Sequence, residues 1–246
     1  METEKELPPR ATTPLPSESE PLTRQELSAA AMHKRLTLIH KELSDGFKFI
    51  SNYDKSVSIF GSARFKENNQ HYIQAQALAR KLAIGGFTIV TGAGPGIMEA
   101  ANRGAMEVDP KKSVGLNIIL PIPQPENRFV GDYIDFYYFF SRKVMMSFAA
   151  DAYIYFPGGF GTLDEFFEII TLVQTKKIRK VPIILVGNDY WKPLDKFIKN
   201  ELILKHGAIR EDEAALYTIT EKNEEIVRIV EESWDGTLTN EYKGLV

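Results

Sequence analysis

Two carboxylates, Asp164 and Glu165, stand just after three closely spaced glycines, Gly158, Gly159 and Gly161. Glycine lets the backbone turn sharply and approach a ligand with no Cβ in the way. Thr162 has N-cap chemistry, and Glu165 three residues on has capping-box spacing. The pattern predicts a helix capped by Thr162, whose free N–H groups favour an anion, most simply a phosphate. A carboxylate beside that positive end should be ionised near pH 7, suited to base work or to stabilising a cation. A plain strand-to-helix turn would use the same residues. Here a second glycine turn, Gly92-Ala-Gly-Pro-Gly96, and a basic doublet, Arg142-Lys143, accompany it.

Ser141 reads as the cap of a helix that opens with Arg142 and Lys143. Cations oppose the helix dipole at that end, and residues set against local preference are often functional. Guanidinium matches phosphate bidentately, while lysine is a point charge. The structural alternative is a solvated basic pair, or Arg142 bonded to a core carboxylate. The second glycine turn lacks the full G-x-G-x-x-G, and Asn117 and Ile118 stand where a dinucleotide site needs an acidic ribose ligand. That argues against a dehydrogenase. Asp151 reads as a turn residue, and the aromatic run Phe136–Phe140 as core packing.

These groups need elements to position them. Ala152 to Phe156 is apolar or aromatic without a break, as expected of a strand covered on both faces. Further strands are expected over Ser56–Phe60, Phe87–Val90, Ser113–Leu120, Tyr133–Phe140, Val181–Val186 and Leu216–Ile219. Helices are expected over Gln70–Ile84, Ile97–Val108, Tyr190–His206 and Glu221–Trp234. Such alternation implies an α/β fold: a three-layer, doubly wound parallel sheet of Rossmann-like type. Ligands then bind beyond the carboxyl ends of the strands. Gly61–Arg64, Gly92–Gly96, Arg142–Lys143 and Gly158–Glu165 all fall there. The candidate substrate-binding residues are Gly61, Ser62, Gly94, Gly96, Met98, Lys143, Gly158, Gly159, Gly161 and Thr162.

Residues 1–22 carry Pro8, Pro9, Pro14, Pro16 and Pro21 among Glu, Ser and Thr, and a disordered tail is expected. Residues 23–54 are expected to form a helical extension, capped by Thr23, with Leu27, Ala31, Leu36, Ile39, Leu43 and Phe47 on one face. That face could dock on the core or on a second copy of the chain. The Rossmann-like domain is expected over 55–235, with a short tail at 236–246. In 246 residues the net charge is −3, so there is no basic field to hold nucleic acid. The absence of cysteine excludes disulfides, thiolate metal sites and cysteine nucleophiles. The four histidines, His33, His40, His71 and His206, lack metal-ligand spacing. No metal or other cofactor is expected. No apolar run nears the ~20 residues of a membrane span, and no signal-peptide core stands at the N-terminus. A cytoplasmic chain without membrane contact is expected.

Three segments carry a resemblance: Gly92-Ala-Gly-Pro-Gly-Ile-Met-Glu-Ala-Ala-Asn102, Ser141-Arg-Lys-Val-Met145 and Pro157-Gly-Gly-Phe-Gly-Thr-Leu-Asp-Glu165. They resemble the LONELY GUY family of nucleotide phosphoribohydrolases, also called lysine decarboxylase-like. The resemblance covers about Ser56 to Trp234. It implies hydrolysis of the N-glycosidic bond of a purine nucleoside 5′-monophosphate, AMP or a cytokinin ribotide, to free base and ribose 5-phosphate. The family's catalytic Arg and Glu map onto Arg142 and Glu165, and its phosphate loop onto Gly158, Gly159, Gly161 and Thr162. Two departures stand out: Asp164-Glu165 where Glu-Glu is common, and Ala93 where a third glycine is common. The resemblance also implies paired subunits, a homodimer or higher homo-oligomer. Two other readings remain open: a non-catalytic nucleotide-binding or sensing module, and a lysine decarboxylase holding pyridoxal phosphate on Lys143.

Overall fold

Short runs of Val, Ile, Phe and Tyr become central strands here because helices cover them on both faces. The computed structural model describes residues 29–121 and 127–234. The expected tails at 1–22 and 236–246 and the Thr23 cap lie outside those residues. The chain runs through α1 (Ala29–Ile50), β1 (Ser56–Phe60), α2 (Gln70–Ile84), β2 (Thr88–Thr91), α3 (Ile97–Met106), β3 (Ser113–Ile118) and β4 (Asp132–Phe136). It continues through α4 (Phe139–Phe148), β5 (Ala152–Tyr155), α5 (Phe160–Gln174), β6 (Ile183–Val186), α6 (Asn188–Phe197), β7 (Thr218–Thr220) and α7 (Asn223–Ser233). A wider-wound segment, Ile198–Lys205, prolongs α6.

The seven strands form one sheet in the order β4-β3-β2-β1-β5-β6-β7. Every neighbouring pair is parallel. The order reverses between β1 and β5, so the crevice at their carboxyl ends is where this architecture receives ligands. Strand residues alternate between two cores. Val57, Ile59 and Ile154 face α2, α3 and α7, while Phe60, Tyr153 and Tyr155 face α4, α5 and α6. The result is a three-layer α/β fold with an all-parallel sheet, as the alternating pattern predicts.

Two helix starts differ from expectation. Helix α5 begins at Phe160 with Gly159 as its cap residue, and Thr162 is not its cap. Helix α4 begins at Phe139 after Tyr138, and Ser141 is not its cap. The predicted strand to Phe140 therefore stops at Phe136. Only Phe136 of the aromatic run enters the core; Phe139 and Phe140 are exposed. On the face of the sheet that carries α4, α1 packs on the core through Leu43, Phe49 and Ile50.

Candidate active site

Three turns meet at the carboxyl ends of β1, β2 and β5, and backbone hydrogen bonds tie them together. Ser62 N donates to the Pro157 carbonyl, and Ile97 N donates to the Ser62 carbonyl, each at 3.0 Å. The Ser62 hydroxyl accepts from Arg64 N. Ser62 thus joins the first turn to both glycine turns. A Cβ on Gly61 would fall 2.7 Å from the Ile97 side chain, so this glycine lets α3 approach β1.

The second turn is pinned by buried amides. Asn102 donates to the Ser113 hydroxyl, and Asn127 donates to the Gly94 carbonyl and to Asn102 Oδ1. Gly96 has φ +73°, and a Cβ there would lie 2.2 Å from the Ser62 carbonyl oxygen. Above Gly92 lie Met98 and Arg142: a Cβ on Gly92 would come 2.3 Å from Arg142 Nη2 and 2.9 Å from Met98 Sδ.

Arg142 is buried. Its Nε donates to the Leu116 carbonyl at 2.8 Å, and its Nη1 lies 3.9 Å from Glu165 Oε1. Burial lowers the guanidinium pKa, while the Glu165 charge raises it. Glu165 sits in the second turn of α5, held at its backbone by the Tyr155 hydroxyl, which donates to the Glu165 carbonyl. Its Oε2 is buried with no hydrogen-bond partner among the described residues. Burial lifts the Glu165 carboxyl to about 7, against the opposing pull of Arg142, and Glu168 adds to the rise. This corrects the expectation of a firmly ionised group in the first helical turn. Glu165 lies past the reach of the helix end, and desolvation outweighs what dipole remains.

The third turn differs in character. Gly158 faces Thr162, whose Oγ1 would lie 2.1 Å from a Cβ there. The Tyr190 hydroxyl donates to the Gly158 carbonyl at 2.7 Å. Gly159 and Gly161 face open space. The first N–H groups of α5, at Phe160 and Gly161, have no carbonyl one turn earlier to bond. The chemistry available is therefore an anion cradle at the start of α5 beside a buried carboxyl–guanidinium couple.

Lys143 turns elsewhere. Its Nζ lies 2.8 Å from Asp164 Oδ2 and 2.9 Å from Glu168 Oε2. Burial alone would lower its pKa, but these two carboxylates outweigh it and hold the ammonium above its ordinary range. Gly61, Ser62, Gly94, Gly96, Met98, Gly158, Gly159, Gly161 and Thr162 all gather in or beneath the three turns. Sequence reasoning missed Glu168, Asn102, Asn127 and the Leu116 carbonyl. Glu168 was findable, being one turn from Glu165 on the same helix face. Asn102 was findable as an amide in an otherwise small, apolar helix stripe.

The sequence model of a family described as "possible lysine decarboxylase" matches residues 98–230. A cytokinin riboside 5′-monophosphate phosphoribohydrolase of Rhodococcoides fascians is 27% identical over 156 residues, 61% of this chain and 76% of that protein. A pyrimidine/purine nucleotide 5′-monophosphate nucleosidase of Escherichia coli K12 is 29% identical over 166 residues, 60% of this chain. The matched region spans only 36% of that relative's length. Among solved structures, the molybdenum cofactor carrier protein of Chlamydomonas reinhardtii is similar, with a TM-score of 0.51 over 73% of this chain and 97% of that one. At 20% identity that likeness concerns the fold alone. With the family model covering more than half of the sequence and the motifs in their structural places, the chain belongs to the LONELY GUY family, the group whose model bears the lysine decarboxylase description.

Proposed function

We propose that this chain hydrolyses the N-glycosidic bond of a purine nucleoside 5′-monophosphate, AMP or a cytokinin riboside 5′-monophosphate, yielding the free base and ribose 5-phosphate. One observation carries the reading: buried Glu165, with one carboxylate oxygen unpartnered, faces Arg142 beside an open glycine turn at a helix start. The names of the two relatives support the same reaction class. The catalytic unit is the domain over residues 55–235.

Gly159, Gly161 and the first N–H groups of α5 hold the 5′-phosphate, assisted by Thr162 and Gly158. Gly61, Ser62, Gly94, Gly96 and Met98 shape the floor and wall beneath the ribose and base. Cleavage builds positive charge on the ribose ring, and the Glu165 carboxylate stabilises it. With a pKa of about 7, the same group accepts a proton from the attacking water at neutral pH. The water oxygen bonds to C1′ as the bond to the base breaks; the departing base takes a proton from solvent and Glu165 later releases the one it took from water, so the net reaction consumes only water. Arg142 orients Glu165 and offers its Nη groups to the nucleotide. Lys143 supports Glu168 and Asp164 beside the site. It does not fit a Schiff-base lysine, which must be free to shed its proton, because two carboxylates hold it charged.

Incubation with AMP and a cytokinin riboside monophosphate tests the reading. Free base and ribose 5-phosphate should appear in equal amounts, and adenosine, lacking the remote phosphate, should react far more slowly. If neither these nor GMP, CMP and UMP release a base, the chain is a nucleotide-binding module. The working form is a homodimer or higher homo-oligomer, a reading supported by the exposed Phe139, Phe140 and Phe160, the last 92% accessible. A monomer by light scattering at micromolar concentration contradicts this.

A further inference from the structure

Helix α1 lies outside the region that the family model matches, yet it grips the start of the helix that carries Arg142. Helix α4 has no capping side chain of its own: its cap residue is Tyr138, which makes no side-chain cap bond. The N–H groups at a helix start need acceptors from elsewhere. Glu42 of α1 supplies one for the cap residue Tyr138 and holds the backbone just before it. Its Oε1 accepts from Tyr137 N at 2.6 Å, and its Oε2 accepts from Tyr138 N at 3.3 Å and from the Ser141 hydroxyl. A carboxylate is also the charge that a helix N-terminus favours, and bonds from backbone N–H groups to an ionised acceptor are among the stronger ones.

The contact is close-packed on either side of Glu42. One turn on, Gly46 is buried against α4: a Cβ there would fall 2.6 Å from Met145 Cγ and 3.2 Å from Phe136 Cε1. Two turns before, the Arg35 guanidinium lies 5.3 Å from the Tyr138 ring centre. Arg35, Glu42 and Gly46 share one face of α1 by helical spacing. Arg142 directly follows Ser141, and its N–H donates to the Tyr138 carbonyl. The junction that Glu42 clamps therefore sets the height and rotation of α4 at the turn from which Arg142 extends.

We propose that α1 is a working part of the site, with Glu42 a positioning residue that clamps the start of α4 and so sets Arg142 opposite Glu165. This rests on the hydrolase reading above. Glu42→Ala should lower kcat roughly 10-fold per folded molecule, the scale of a small misplacement, with the KM for AMP within about threefold of the starting value. Glu42→Asp, which keeps the carboxylate on a shorter stem, should recover part of kcat. Leu43→Ala, which loosens the packing of α1 without touching the junction, should lower the melting temperature and leave kcat intact. Hydrogen exchange over residues 137–146 should quicken in Glu42→Ala and not in Leu43→Ala. Glu42→Gln, which keeps one accepting oxygen, serves if Glu42→Ala does not fold. Unchanged kcat in the Glu42 variants, or an equal loss in Leu43→Ala, reduces α1 to a prop and overturns the proposal. Base release by the unaltered chain tests the hydrolase reading separately. Should that fail, the exchange arm still decides the clamp, and unchanged exchange in Glu42→Ala refutes it.

Discussion

The two glycine turns look alike in sequence and serve opposite ends. In Gly92–Gly96 the glycines make room for the protein itself. A side chain on Gly96 would strike the Ser62 carbonyl, and one on Gly92 would displace Arg142. In Gly158–Gly161, Gly158 yields to Thr162, but Gly159 and Gly161 touch nothing. Gly159, at φ −94° and ψ −160°, has a backbone that any residue can adopt. Nothing in the folded chain demands glycine there, which suits the phosphate contact proposed above. A glycine that collides marks internal packing, and the two that face empty space lie where the proposed phosphate would sit.

The largest effect should come from the packed turn. Gly96→Ala combines a positive φ with a backbone collision, and denaturant unfolding should register a loss of about 3 kcal/mol or more. Glu165→Gln, placed between the turns, should bind AMP nearly normally yet release adenine roughly 10²-fold more slowly. Turnover at the unaltered rate makes Glu165 a structural group only. The same variant carries a pH signature. Burial raises Glu165 from 4.5 to about 7, so between those values the folded chain holds a proton that the unfolded chain has lost. The stability this confers is complete below pH 4.5 and gone once pH has risen through 7. Glu165→Gln escapes that loss. It should exceed the unaltered chain in stability above pH 7 by ~3 kcal/mol, the gap closing below pH 4.5. Gly159→Val should keep stability within about 0.5 kcal/mol while weakening AMP binding 10-fold or more, as calorimetry would read. A comparable loss of stability would erase the contrast between the turns. Gly92→Ala should have the smallest effect, a several-fold fall in kcat, because its collision is with side-chain ends, Arg142 Nη2 and Met98 Sδ, rather than with backbone.

What could be read from the sequence follows from the range of the forces involved. The strand runs and the span of α2 over Gln70–Ile84 were legible because burial on both faces and helical periodicity are local signals. The convergence of Arg142 and Glu165 was legible because parallel topology puts all strand ends on one side. The helix starts were not. Ser141 looked like a cap, but the acceptor for that end is Glu42, 99 residues away in sequence. Thr162 looked like a cap, but it packs against Gly158. The charge state expected for Glu165 failed for a related reason: its desolvation is imposed by packing around α5, which no run of neighbouring residues encodes. The pairing of Lys143 with Asp164 and Glu168 likewise joins two helices.

The unpartnered Oε2 of Glu165 has a consequence for how the molecule meets its ligand. Near neutrality this carboxyl is divided between its two forms. On the proposed reading, a nucleotide whose hydroxyls donate to Oε2 favours the ionised form, so its binding should expel a fraction of a proton into solution. Calorimetric heats of binding should then differ between buffers of unlike ionisation enthalpy, and the difference should vanish in Glu165→Gln. If the proposed reaction holds, affinity for substrate and the acidity of the medium should be coupled through one buried oxygen.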